Sequence, residues 1–468
     1  MKKKSQQQPD PPPMDEVPLE VREQDAPAPP AEGDAPAAGP GDDWPAELIW
    51  ESTRGRGRKL KECLANATVI FGRHPAWAET LAYNEFRGQV ESRKPPPWGD
   101  NERSSAGIAA GPWTDEDDLR AKAWLERHYN LALGRETVAG AVLIAAERQK
   151  RYHPVREYLE GLRWDGEERL DLLFPWYFDA EPRSSGPSQY LRLVSRWWTI
   201  AAVARIFDPG CKADCMVILE GQQGARKSSA LAAMAVRREW FLDSPVMIGE
   251  KDGFEILRGK WIIEFAELDS WRRADQNRLK GYLTQVLDSY RGAYARRSAD
   301  HLRQCIFAGS TNEHDYLDDP TGGRRFWPVA CEAIRLEELQ RDRDQLWAEA
   351  VHQYKSGGRW WPVTEQEQAL CRAQQAQRYR EDSWEPKIAA WLADLAWSDS
   401  EAIRRAGGLT SGVVLERCLA IPAERWQRAH ETRVGVILKH LGYERRQRRH
   451  EGERVYVYAK PEQLELPA

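Results

Sequence analysis

Cysteine is scarce in this chain of 468 residues: seven, an odd number at scattered spacing. That count excludes a disulfide framework and suits a reducing cytoplasm. Long apolar runs are missing too, since no stretch approaches the roughly 18 residues that a spanning helix needs. The basic start Met1-Lys2-Lys3-Lys4 is not followed by the apolar core of a signal peptide. Nor does one sign of charge dominate. The 68 Lys and Arg face 73 Asp and Glu, a formal net charge of −5, so the overall balance names no partner. These shortages argue against a secreted scaffold, a membrane protein and a fibre. They lead us to expect a cytoplasmic protein without choosing among enzymes.

The composition that remains, 41% hydrophobic and 30% charged, is that of a globular chain, long enough for two to four domains of roughly 100–200 residues. Residues 1–43 hold ten of the 29 prolines and ten acids against four bases, without periodicity. Such a segment buries too little to offset its ordering entropy, so a disordered acidic Pro/Ala-rich tail is expected. Residues 44–112 alternate short apolar and polar runs around a Pro-rich stretch, Lys94–Asp100, and form a small unassigned region. From Trp113 helix signals dominate. Thr114-Asp115-Glu116-Asp117 opens like a capping box. Leu119, Ala123 and Leu125, then Val138, Ala141, Val142 and Ala145, recur at helical spacing, and a helical domain over 113–205 is predicted.

At Met216 the pattern changes. Met216-Val217-Ile218-Leu219 reads as a buried strand, Leu231–Ala235 as a helix, and Trp261-Ile262-Ile263 and Ile306-Phe307-Ala308 as further strands. Strands separated by helical stretches predict an α/β domain over 206–355 with a largely parallel sheet. A helical linker region, 356–408, leads to a small module over 409–468. Its two helix-like stretches precede Arg445, Arg446, Arg448 and Arg449 and a strand at Val455–Tyr458, which together look like a winged helix. Residues 433–460 carry eight bases and three acids, a footprint for duplex DNA or for protein.

The chemistry centres on Gly221-Gln222-Gln223-Gly224-Ala225-Arg226-Lys227-Ser228-Ser229, which follows a strand and opens a helix. In that context backbone N–H groups cradle phosphates, a Lys reaches the β/γ-phosphates and the next Ser ligates Mg²⁺. The strict pattern wants Gly where Arg226 stands, and that side chain could crowd the phosphates or point outward. Glu264 and Glu267 close the next apolar strand, where a phosphate-transfer site needs one carboxylate for Mg²⁺ and another to orient water. Spacing does not divide the roles, and a solvated carboxylate is the bland alternative. Asn312, at the tip of the third strand, could position water against the γ-phosphate. Arg324 and Arg325 follow a Gly-rich turn and suit an arginine finger, a structural ion pair or a nucleic-acid contact. Basic and aromatic residues interleave over Asp288–Arg297, as single-stranded nucleic acid requires. Cys211 and Cys215 lack a second pair at zinc spacing, the 21 Trp are expected mainly in the core, and His153 is read as a helix cap.

In this order the pieces resemble the virulence-associated protein E family, whose ATPase domain is similar to superfamily 3 helicases and AAA+ ATPases. The resemblance rests on His153–Leu159, Trp164-Asp165-Gly166, Pro209–Asp214, Leu219–Gly224, Arg258–Trp261, Gly309–Asn312 and Thr321–Pro328, and covers about 113–355. It implies an α/β P-loop core with a helical N-terminal region and a winged-helix-like module. It also implies a phage or mobile-element replication protein: a ring-forming, helicase-like ATPase using ATP and Mg²⁺ on single-stranded DNA, beside a primase partner. Lys280, Arg291, Arg296 and Arg297 would contact DNA. Lys227 would meet the phosphates, Ser228 and Glu264 the metal, Asn312 the γ-phosphate, and Arg324 or Arg325 a neighbouring subunit's nucleotide. Two alternatives stay open: an ATP-driven switch or loader without unwinding, and a non-hydrolysing DNA-binding protein.

Overall fold

The computed structural model describes residues 43–460 apart from 54–56, 99–110, 183, 185, 244–250, 269–272, 292–296, 318–322 and 380–381. The acidic tail expected over 1–43 therefore lies, but for Asp43, outside the described residues, as does Arg296. Two compact units are formed. Of the described residues, one takes in those within 43–78, 96–98 and 114–145, the other those within 79–95, 111–113 and 146–460.

In the first unit a short antiparallel pair, β1 (Trp50–Ser52) and β2 (Arg58–Leu60), leads to α1 (Leu64–Arg73) and then α2 (Asp115–Tyr129). The expected capping box forms. Thr114 Oγ1 accepts from Asp117 N at 3.3 Å, and Asp117 Oδ2 accepts from Thr114 N at 2.8 Å, satisfying two donors that the first turn would leave open. Phe71, Trp77 and Trp124 meet edge to face, with centroids 4.7 and 5.5 Å apart. The helix α3 (Arg135–Gln149) ends in the second unit.

The second unit opens with a small sheet, in the order β5 (Gly111–Pro112), β4 (Gln89–Ser92), β3 (Leu81–Asn84), β6 (Arg151–Tyr152). Next come α4 (Pro154–Gly161) and α5 (Gln189–Phe207). His153 caps α4 as expected, its Nδ1 accepting from Arg156 N at 3.1 Å. The predicted helical domain 113–205 is thus corrected: its helices exist but are shared between the two units. The reason is in α5, where Trp197, Trp198, Ile200, Val203 and Ile206 are buried on all sides. A helix that is apolar all round must be enclosed, and α5 lies against the large sheet, with Trp198 Nε1 donating to Phe307 O at 3.1 Å.

That sheet follows in chain order: β7 (Met216–Glu220), α6 (Lys227–Met234), β8 (Phe241–Leu242), α7 (Lys251–Glu255), β9 (Ile262–Phe265), α8 (Arg273–Leu283), a two-stranded ribbon of β10 (Leu287–Tyr290) and β11 (Ala299–Leu302), β12 (Ile306–Thr311), β13 (Phe326–Ala330) and α9 (Leu336–Lys355). Its spatial order is β13-β7-β12-β9-β8, and every pairing is parallel. The continuous apolar runs have the physical cause expected of parallel strands, burial on both faces. Val217 and Leu219 point into a core with α5, α6 and α9, while Met216 and Ile218 point into a second core with Leu279, Tyr282 and Leu283 of α8. Trp261 and Trp347 pack with tilted rings, centroids 4.4 Å apart, in the first core.

The stretch expected as a linker, 356–408, is divided between two cores. In α10 (Glu365–Ala376), Cys371 joins the core beside the sheet, and Gln375 Nε2 donates to Phe326 O at 2.9 Å. In α11 (Glu385–Ala393), Ile388 joins a C-terminal core instead. That core is completed by α12 (Trp397–Arg405), the turn α13 (Ser411–Val413), α14 (Arg428–His440) and an antiparallel ribbon, β14 (Glu444–His450) with β15 (Glu453–Ala459). Among the described residues no helix is long and apolar enough to cross a membrane.

Candidate functional site

The loop Gly221–Arg226 leaves β7 at its carboxyl end and turns into α6. In an open parallel sheet, ligands bind at the carboxyl ends of the strands, where the connections diverge to either side. Here β7 lies between β13 and β12. A Cβ on Gly221 would stand 2.4 Å from Cys331 O, so only glycine lets the loop pass so close to the end of β13. Gln222, Gln223 and Gly224 are exposed at the mouth.

Arg226 has φ 63° and ψ 25°, a left-handed backbone that costs a side-chain-bearing residue about 1–2 kcal/mol relative to the right-handed form. That geometry is why the usual pattern has glycine there. The guanidinium turns outward, its Nη1 donating to Glu337 Oε1 of α9 at 2.9 Å, with both side chains exposed. Of the two readings left open for Arg226, outward is the one observed.

Lys227 is buried, and its ammonium closes the inside of the loop. It donates to Gly221 O, to Gln222 O at 3.1 Å and to Asn312 Oδ1 at 3.1 Å. Asn312 follows β12 directly, so the strand pairing brings loop and strand tip together. The next residue, Ser228, donates from Oγ to Glu264 Oε1 at 2.9 Å. Glu264 lies in β9 and is almost wholly buried; burial pushes its carboxyl above the usual range, against the pull of the Ser310 and Ser228 hydroxyls. Among the described residues its Oε2 has no partner that meets hydrogen-bond geometry. A hydroxyl beside a carboxylate with an open oxygen is a donor set for a hard divalent cation that keeps other ligands from phosphate and water. Glu267 stands exposed beyond β9, at φ 54°. Ser229 and Ala225 complete the loop, Ala225 N donating to Gln222 O at 3.2 Å.

The other expected residues lie elsewhere. Arg324 and Arg325 form a turn at the amino end of β13, where Phe326 pairs with Met216, while the loop is at the carboxyl end. Arg324 is exposed and Arg325 half-buried, its Nε without a hydrogen-bond partner among the described residues. Arg291 and Arg297 are exposed on the ribbon β10–β11. Buried Arg303 anchors the base of that ribbon, its Nε donating to Asp288 at 2.9 and 3.0 Å. Lys280 does not join them: it is buried in α8 with its ammonium 5.9 Å from the Phe326 ring centroid, so it is no surface contact for DNA. Arg445, Arg446, Arg448 and Arg449 are all exposed on β14.

One buried group escaped the sequence reading. Glu220, the last residue of β7, accepts from Arg378 Nε at 2.8 Å, from Arg378 Nη2 at 3.0 Å and from Tyr316 Oη at 2.8 Å. A carboxylate ending an apolar strand was the available signal, but its partner follows 158 residues later.

Taken together these are the features of a mixed α/β protein whose parallel sheet presents a loop-and-helix site at its carboxyl edge. Residues 159–380 match the profile of the virulence-associated protein E-like domain, and the chain carries a domain of that family. No curated protein matches it significantly. Among solved structures, the apo C-terminal region of NrS-1 is 13% identical over 82% of this chain and 99% of that one, with a TM-score of 0.43. Its A form is 14% identical over 64% and 78%, with a TM-score of 0.35.

Proposed function

We propose that the chain is a P-loop NTPase of phage or mobile-element replication, hydrolysing ATP while acting on single-stranded DNA. The observation that carries the reading is the Lys227 ammonium held inside the loop by two carbonyls and Asn312, one residue from the Ser228–Glu264 pair. A lysine so held can exchange carbonyl oxygens for phosphate oxygens. The N–H groups of the loop and of the first turn of α6 would take the remaining phosphate charge. Ser228 and Glu264 would hold Mg²⁺, which when bound neutralises charge on the β- and γ-phosphates. Glu267 would orient the attacking water and Asn312 would report the γ-phosphate to β12. The virulence-associated protein E-like domain supports the replication role.

Arg324 and Arg325 precede a five-residue strand, which at about 3.3 Å per residue separates them from the loop by roughly 16 Å. They would therefore serve the nucleotide of a neighbouring copy, and hydrolysis would need an oligomer, read here as a ring. Arg291 and Arg297 supply cations for a single strand, and unwinding and a primase partner belong to the same reading.

The test is ATP turnover by wild type and Lys227→Ala, with and without single-stranded DNA. DNA-stimulated turnover that the substitution abolishes is expected. Absence of turnover in folded, oligomeric wild type would instead leave a DNA-binding protein without hydrolysis. A switch or loader is the second reading, favoured by the strained Arg226 backbone in the loop; turnover without strand displacement would select it.

A further inference from the structure

We infer that the C-terminal ribbon β14–β15, rather than the helix α14, is a contact surface for the phosphate backbone of duplex DNA. Six of the seven residues of β14 are exposed and the seventh is half-exposed. Alternation along the strand sends Arg445 and Arg449 to one face and Arg446 and Arg448 to the other. The register sets Arg449 directly opposite Arg454. Like charges facing each other across a pair of strands destabilise it. Among the described residues no carboxylate forms an ion pair with Arg448, Arg449 or Arg454, whereas Arg446 has Glu444 at 3.0 Å. The fold gains nothing from this repulsion, and an external polyanion would relieve it.

On the helix behind the ribbon one arginine is already engaged. Arg433 of α14 donates to Asp382 at 2.7 and 2.8 Å and lies 3.9 Å from the centroid of the Trp384 ring. His440 is bonded to Glu385. What α14 leaves exposed, Arg428, Glu431 and Lys439, is close to balanced.

The shape favours a duplex over a single strand. A ribbon with cations on both faces fits a groove flanked by two phosphate rails, and the major groove admits a two-stranded ribbon. A single strand would ask for an open ring on which to stack bases, but Tyr456 has the Arg445 guanidinium over it at 3.9 Å. Contacts of this kind position the protein without specifying sequence.

The experiment uses the full chain without nucleotide, so its outcome is independent of hydrolysis. Binding to a blunt 30-base-pair duplex and to one of its strands is followed by fluorescence anisotropy across a salt series. Each lost phosphate contact should lower the slope of log K against log salt by about 0.9. The triple variant Arg448→Gln, Arg449→Gln, Arg454→Gln should therefore lose a slope of about 2.7 and at least tenfold in duplex affinity. Arg428→Gln with Lys439→Gln should change affinity less than twofold. Arg449→Glu guards against misfolding as the cause, because it ends the Arg449–Arg454 repulsion: it should melt no lower than wild type while binding duplex more weakly. Unchanged duplex binding in the triple variant overturns the inference, as does a loss confined to the single strand or a wild type that binds no duplex.

Discussion

At the scale of single residues, backbone conformation explains what the loop tolerates. Arg226 occupies a left-handed position at an energetic cost, but its side chain leaves the site for Glu337. Arg226→Gly should therefore stabilise the chain by about 1 kcal/mol and leave turnover at or above the wild-type level, measured by thermal melting and phosphate release. Loss of turnover would show that the outward guanidinium has a part in catalysis. Glu264 gives the opposite kind of case, a carboxyl buried within β9. Burial raises its pKa in the folded chain, so the folded state holds the proton more tightly than the unfolded state. The associated stability is fully present below the ordinary carboxylate pKa and is lost as pH rises through the folded value. Glu264→Gln should raise the melting temperature at pH 8 by on the order of 2–4 °C and by nothing measurable at pH 4, while abolishing Mg²⁺-dependent turnover.

At the scale of elements, the decisive contacts join segments far apart in sequence. The Glu220–Arg378 pair ties the second residue beyond α10 to the end of β7, just before the loop, and both side chains are buried. Removing one member of a buried pair leaves the other charge uncompensated, at about 3–5 kcal/mol. Arg378→Ala should accordingly lower the denaturant midpoint sharply. The double variant Glu220→Gln, Arg378→Met should recover much of the loss, because the stranded charge is gone. A double-mutant cycle read by denaturation checks both. The ribbon β10–β11 depends in the same way on Arg303 and Asp288, which fix its base while Arg291 and Arg297 stay in solvent.

At the scale of the whole molecule, the two ends of the parallel sheet hold different chemistry. Lys227, Ser228, Glu264 and Asn312 gather at the carboxyl ends, and Arg324 and Arg325 stand at the amino end of β13. If hydrolysis needs an arginine from a neighbour, turnover per chain should rise with protein concentration until assembly saturates. Arg324→Ala with Arg325→Ala should keep nucleotide affinity within a few-fold and lose at least tenfold in turnover. Mixing that variant with Lys227→Ala should restore part of the activity, since each supplies what the other lacks. Concentration-independent turnover would show a site complete within one chain.

Local chemistry was enough for much of this. The apolar runs at 216–219, 261–263 and 306–308 announced buried strands because parallel strands are covered on both faces, and Thr114 and Asp117 announced a helix start because capping is settled within four residues. The loop 221–229 was legible for the same reason: strand, glycines, lysine and serine are contiguous. Tertiary structure alone decided where α5 packs, that α10 and α11 belong to different cores, and that Lys280 is enclosed. It also chose Glu264 over Glu267 as the partner of Ser228, and paired Glu220 with Arg378. Those outcomes depend on which faces meet across hundreds of residues, and spacing along a chain carries no record of that distance in space.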